Sequence, residues 1–368
     1  MMRKFTILLS LLALATMLGA GFVSAQDEST WVCPEEVKGG NLRVFNWTTY
    51  VAEDTIPNFE DACDATVEYF EYGSNEEMVA IVRSESAQYD IVVPTGSTVA
   101  EMVTEGLLMK LDHSKIPNMA NVMEQFLDPP YDPGNEYSLP YQWGTIGIGF
   151  DTTVIDPEDM TSWADFLAYD GRVAWLDDTD SIIGIGLLLQ GLDPNSHDEA
   201  EVMGAAQYLL DTNKADVFDI LPDTGQDFLV RGEVDAVIEY SGDIFQIIDE
   251  CECEDFAYVI PEEGTNVWTD NMAIPFNAPN PDLAHAFIDY ILDAHVGADL
   301  SNYTAYGTPN RAALEFIDPE LLENPGIYPS DETLDRLFFA EGKLGDVAQY
   351  YSEAWNLLNS QIGSSGEG

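Results

Sequence analysis

The chain has 368 residues, 46% of them apolar, with 67 acidic side chains against 13 basic ones and a formal net charge of −54. Phosphate binding needs clustered Lys and Arg, so this balance excludes nucleic acid as a partner. An acidic surface attracts cations but also keeps an exported chain in solution, so the total charge does not by itself name a ligand.

Arg3 and Lys4 precede an apolar run from Phe5 to Leu18, and Val23-Ser24-Ala25 offers a small-residue cleavage site. This is the pattern of a secretory signal peptide over residues 1–25. Cleavage after Ala25 leaves 343 residues and removes two bases but no acid. No later stretch approaches the ~20 consecutive apolar residues of a spanning helix. A soluble mature protein on the periplasmic or extracellular face is expected. Its length exceeds what one hydrophobic core supports, so two domains are expected as well.

Cys33, Cys63, Cys251 and Cys253 would all remain after cleavage, in a compartment where disulfides persist. Three pairings are possible. Cys33 with Cys63 is favoured, because a Cys251–Cys253 bridge closes a very short ring. A metal on the Cys-x-Cys pair is the alternative, but the four thiols lack the two-pair spacing of a zinc site.

From Leu42 onward, short β-rich runs alternate with helical segments, which argues for parallel sheets with crossover helices. Leu42–Phe45 is a predicted strand; Ile56, Phe59 and Cys63 share a helical face; Val67–Phe70 is the next strand. Ser74 and Glu77 make a capping box ahead of Met78, Ile81 and Val82. Ile91–Val93 is a buried strand ended by Pro94, followed by a helix bearing Val99, Met102 and Val103 that stops at Gly106. A second region begins near Trp143, with strands predicted at 146–150, 173–175, 236–238 and 256–260 and a helix at 162–167. Extended character resumes over 268–275, and 282–292 is an amphipathic helix. The Gly/Ser-rich tail, 360–368, is expected to be disordered.

Catalytic signatures are missing: there is no Gly-x-Ser-x-Gly elbow, His-Glu-x-x-His helix, phosphate loop or dinucleotide fingerprint. Four histidines, none beside a plausible nucleophile in sequence, supply no general base, and a pair such as Asp177-Asp178 could serve as a carboxylate dyad. An enzyme is disfavoured. Aromatics instead recur at strand ends beside acids or turns, in Asn46-Trp47-Thr48-Thr49-Tyr50, Leu176-Asp177-Asp178, Tyr240-Ser241-Gly242-Asp243, Trp268-Thr269-Asp270 and Tyr306-Gly307-Thr308-Pro309-Asn310. Open α/β sheets bind ligands beyond the carboxyl ends of their strands, so these segments are placed to meet at a cleft. Carboxylates with aromatic faces suit a polyamine, whose ammonium groups need counter-charges and whose methylenes need apolar contact.

Several of these segments, together with Tyr89-Asp90-Ile91-Val92-Val93-Pro94, Leu139-Pro140-Tyr141-Gln142-Trp143-Gly144 and Thr161-Ser162-Trp163-Ala164-Asp165, resemble the spermidine/putrescine-binding proteins of ABC importers, in order from about Leu42 to Asn310. The resemblance implies an α/β, two-lobed periplasmic binding fold of type II, with parallel-rich mixed sheets flanked by helices and a ligand cleft between the lobes. One lobe is expected over residues 26–145 with 271–308, the other over 146–270 with 309–359. The implied ligand set is Trp47, Thr48, Ser97, Asp178, Tyr240, Asp243, Trp268, Asp270 and Tyr306. Asp178, Asp243 and Asp270 would serve as ammonium partners; Trp47, Tyr240, Trp268 and Tyr306 would form an aromatic box. Two positions depart from the pattern: Ser181 stands where spermidine-binding members carry an acid, and Tyr240 replaces a Trp, so putrescine and spermidine both stay open. The implied partners are a polyamine and a membrane permease, with the protein a monomer and no cofactor or metal. Another small cationic solute on the same fold, or a chemosensory binding module, are the alternative readings.

Overall fold

The computed structural model describes residue 29, residues 31–251 and residues 255–362. The expected signal peptide lies outside them. In β1 (Asn41–Trp47) the residues Leu42, Val44 and Phe45 turn into the core. Next come α1 (Thr55–Cys63), β2 (Thr66–Tyr72), α2 (Asn75–Ser84), β3 (Ile91–Val92) and α3 (Gly96–Thr104), matching the predicted alternation. Ser74 Oγ accepts the Glu77 amide at 3.2 Å as a helix cap does, and Glu77 Oε2 accepts the Gly73 amide. Beyond β3, β4 (Ser138–Asp151) leads to α4 (Trp163–Ala168), β5 (Arg172–Leu176), α5 (Thr179–Leu189), α6 (Glu199–Thr212), β6 (Asp216–Leu221), α7 (Gly225–Val230), β7 (Ala236–Tyr240) and α8 (Ser241–Cys251). The chain closes with β8 (Phe256–Val259), β9 (Val267–Ala273), α9 (Pro281–Ile291), α10 (Ala294–Thr304), α11 (Pro319–Leu322), α12 (Asp331–Leu334) and α13 (Asp346–Ile362). Among the described residues no helix is long and apolar enough to cross a membrane.

The strands run β2-β1-β3-β9-β4-β7-β5-β6, with β8 also on β4. β1 is parallel to β2 and β3, and β5 is parallel to β6 and β7. The two parallel groups are joined by antiparallel β9 and β4. Strand β4 spans both: Ser138–Thr145 pairs with β9, then Ile146–Phe150 pairs with β7. The sequence predicts only the second stretch. Pro140 hides the first, because a proline cannot donate to a ladder; here it sits beside a register shift between Pro140 and Gln142.

Other elements missing from the sequence reading are α5, α6, β6, α7, α8, α10, α11, α12 and α13. In α5 all residues from Ser181 to Leu187 are buried, so it has no polar stripe to give a helical period. Residues 360–362, assigned above to a disordered tail, are the last turn of α13, and Ile362 is buried. Leu358 and Ile362 continue that helix's apolar face past the first of the small polar residues.

Cys33 and Cys63 form a disulfide with Cα atoms 5.2 Å apart, and Cys251 is disulfide-bonded too. The Cys33–Cys63 bridge joins residues 30 apart. By the chain-entropy argument, Cys33→Ser with Cys63→Ser is expected to lower stability by about 3.6 kcal/mol; urea denaturation with and without the pair measures it.

Candidate functional site

The strand ends and the loops beyond them meet at one narrow cleft. Trp47 closes β1, and Thr48 and Tyr50 follow it. Between them Thr49 adopts φ 49°, a left-handed turn rarely taken by a β-branched residue. That turn brings Trp47, Thr48 and Tyr50 to one wall. Thr95 comes from the loop after β3, Asp223 from the β6–α7 loop, Tyr240 from the end of β7 and Asp243 from the first turn of α8. Trp268 and Asp270 are two apart on β9, so they face the same side. Tyr306 follows α10.

The aromatic rings lock one another. Trp268 meets Tyr306 edge-on at 5.1 Å and Tyr240 at 5.8 Å, and Tyr50 meets Tyr306 at 5.4 Å. Such edge contacts add ~0.5–1.5 kcal/mol each beyond area burial. Trp47 is fixed by Nε1–H donating to the Val93 carbonyl at 2.9 Å. Two glycines let the rings come this close: a Cβ on Gly144 would sit 2.7 Å from Trp268, and one on Gly242 would sit 2.5 Å from Tyr306.

Among the described residues no Lys or Arg lines the cleft. Asp270 and Asp243 are only 4% and 6% exposed. Asp243 Oδ2 accepts the Tyr306 hydroxyl at 2.6 Å, and Asp223 Oδ2 accepts Thr48 Oγ1–H at 3.3 Å. Asp270 Oδ1, Asp223 Oδ1, the Trp268 indole N–H and the Tyr50 hydroxyl are shut from solvent without a hydrogen-bond partner. Burial pushes the Asp270 carboxyl well above the usual carboxylate range; burial and the neighbouring Asp223 charge do the same to Asp243. Each shift says that the ionised carboxylate is uncompensated. A bound cation would supply the missing charge, while the ring faces that line the cleft would hold an apolar stem.

Of the residues proposed from sequence, Trp47, Thr48, Tyr240, Asp243, Trp268, Asp270 and Tyr306 come together on this cleft. Asp178 and Ser97 are not among its lining residues. Asp178 is the N-cap of α5, its Oδ1 accepting the Ser181 amide at 2.9 Å, and Ser97 lies in the first turn of α3, one side of Thr95. Ser181, at the position of a missing acid, is fully buried and accepts from Asn266 Nδ2 at 2.8 Å. Its neighbour Asp180 is pushed up to about 7 by burial, against the pull of Lys343.

Tyr50, Thr95 and Asp223 were not selected from sequence. Tyr50 stands inside a segment already singled out. Asp223 follows a strand that the sequence reading did not recognise; Pro222-Asp223-Thr224-Gly225 after the apolar residues of β6 is a strand-then-turn signal that could have found it.

A mixed sheet gathering aromatics and unneutralised carboxylates at its strand ends defines a solute-binding protein. Residues 55–329 match the bacterial extracellular solute-binding protein family, and the chain belongs to it. It is 33% identical over 321 residues to the spermidine/putrescine-binding periplasmic protein 1 of Haemophilus influenzae, covering 86% of this chain and 88% of that one. It is 32% identical over 340 residues to the putrescine/cadaverine-binding protein of Pseudomonas aeruginosa, covering 87% and 93%. Among solved structures, the spermidine/putrescine ABC transporter substrate-binding protein PotD of Streptococcus pneumoniae superposes with a TM-score of 0.76 at 29% identity, over 89% of this chain and all of that one. The resemblance read from the motifs and the α/β binding-protein fold are both borne out.

Proposed function

We propose that the protein captures a polyamine outside the cytoplasm and delivers it to the membrane permease of an ABC importer, without turning it over. One observation supports this most: five aromatic residues and three carboxylates, Asp223, Asp243 and Asp270, wall a cleft that among the described residues has no basic one. Desolvating those acids is costly in the empty protein, and a ligand with two ammonium groups offsets the cost at both ends of an apolar stem. The expected lobes, residues 26–145 with 271–308 and 146–270 with 309–359, would close over it as a hinged clamp. The Thr48–Asp223 hydrogen bond joins residues 175 apart and would then act as a latch across the mouth.

Titration calorimetry of the mature protein with putrescine, spermidine and 1,4-butanediol tests the proposal. Tight binding of at least one polyamine and none of the diol is expected. A cleft that takes the diol as well as the diamine would show that charge is not what it reads. Binding that weakens only modestly at high salt is expected, because buried pairs are poorly screened.

A further inference from the structure

Behind the cleft sits a fourth acid that does not line it. Glu239, near the end of β7, is fully buried, and one of its oxygens lies within 4.8 Å of oxygens of Asp223 and Asp243, which lie equally close to each other. Its carboxylate is fixed in place: Oε2 accepts the Gly225 amide at 2.9 Å and Oε1 accepts the Tyr240 amide at 3.0 Å. The preceding Val237 and Ile238 are ordinary core residues, so the carboxylate enters an apolar layer. The titratable groups facing it are Asp223 from the β6–α7 loop, Asp243 from α8, Tyr240 from β7 and Tyr258 from β8, none of them a base. In the same cleft, Asp270 is 4% exposed with Oδ1 unpartnered. The cavity thus has carboxylate oxygens waiting for a cation in addition to the three clustered acids.

Carboxylates with oxygens within 4.8 Å of one another, two of them buried, oppose full ionisation unless a cation joins them. The empty protein therefore holds a proton within the cluster. A terminal –NH3+ group brings three N–H donors and one concentrated positive charge for Asp223 and Asp243 at the cleft, with the Glu239 charge behind them, whereas a secondary ammonium brings only two donors. On its arrival the proton leaves to bulk buffer, the cluster becomes fully anionic, and the ammonium keeps its own three hydrogens.

We propose that Glu239 is a positioning residue that turns the Asp223–Asp243 end of the cleft into a three-carboxylate seat for a terminal primary ammonium, and that filling the seat expels a proton. This rests on the polyamine reading above.

Calorimetry with putrescine in two buffers of different ionisation enthalpy, between pH 6 and 8, counts the protons released. The wild-type protein is expected to release roughly one proton per putrescine. Glu239→Gln is expected to bind roughly ten- to a hundredfold more weakly, as for loss of a buried charge behind the seat, and to release clearly fewer protons. Gly225→Ala reaches the same group without altering it, since the added Cβ would lie 2.5 Å from Glu239 Oε2; it should also reduce proton release. Wild-type protein that binds putrescine with no proton release overturns the inference without any variant. So does a Glu239→Gln protein that releases as many protons as the wild type. Wild-type protein that binds neither putrescine nor spermidine removes the polyamine reading itself, and the inference with it.

Discussion

Asp270→Asn should stabilise the ligand-free protein while nearly abolishing polyamine binding. Asp270 is only 4% exposed with one oxygen unpartnered, and among the described residues no Lys or Arg lines the cleft beside it. An uncompensated buried group of this kind costs the fold about 1–3 kcal/mol, and an amide of the same shape removes the charge. Truncating one partner of a desolvated ion pair costs about 2–5 kcal/mol of binding, or roughly 30- to 5,000-fold in affinity. The pH dependence fixes the sign. The Asp270 carboxyl lies well above its ordinary range in the folded protein, so its contribution to stability is intact below the unfolded value of ~3.9 and is lost as pH rises toward the folded one. The ligand-free wild type is thus expected to melt at lower temperature as pH climbs from 4 to 8. Asp270→Asn should flatten that decline, and saturating putrescine should flatten it in the wild type. Scanning calorimetry of both proteins, with and without ligand, reads all of these. A variant less stable than the wild type at pH 8 would mean that Asp270 is already compensated.

Most of the cleft was legible because its parts stand in short segments where an aromatic and an acid share a strand end. Trp268 and Asp270 are the clearest case: spacing of two on one strand puts both on one face, so the sequence fixes their relation before any fold is known. The aromatic box needed only that the strand ends converge, which follows from the βα alternation. What was not legible depends on contacts far apart in sequence. Asp178 looked like Asp243, an acid after an apolar strand, yet it caps α5 with its Oδ1, and only the helix that follows decides this. That helix was itself hidden by its uniform burial. Glu239 could not be read at all, since a lone acid within Ala236–Tyr240 resembles the polar face of a half-exposed strand. Its meaning comes from Asp223 and Asp243, brought to it by β6 and α8. Gly242, which the sequence shows only as part of the Tyr240–Asp243 segment, owes its role to a ring 64 positions away.

Gly242→Ala should therefore weaken binding although it adds only a methyl group outside the ligand's reach. The new Cβ would fall 2.5 Å from two atoms of the Tyr306 ring and 2.6 Å from a third. A rigid ring face cannot yield as the tip of a flexible chain does, so Tyr306 must move or α8 must shift. Either motion breaks the 2.6 Å hydrogen bond from the Tyr306 hydroxyl to Asp243 and opens the 5.1 Å edge contact with Trp268. Overpacking of this kind costs about 1–3 kcal/mol in stability. Loss of the wall geometry together with a freed Asp243 is expected to reduce polyamine affinity by roughly tenfold to a hundredfold. Tyr306→Phe separates the two effects: it keeps the ring and its edge contacts but removes the hydroxyl, so stability should change less than in Gly242→Ala while binding still falls. Glycine at 242 carries no positive φ, so backbone strain is not part of the expected effect. Unchanged putrescine affinity in Gly242→Ala, measured on protein that melts cooperatively, would show that Tyr306 can move without loosening the cleft. It would also leave the carboxylates, rather than the aromatic wall, as the source of affinity.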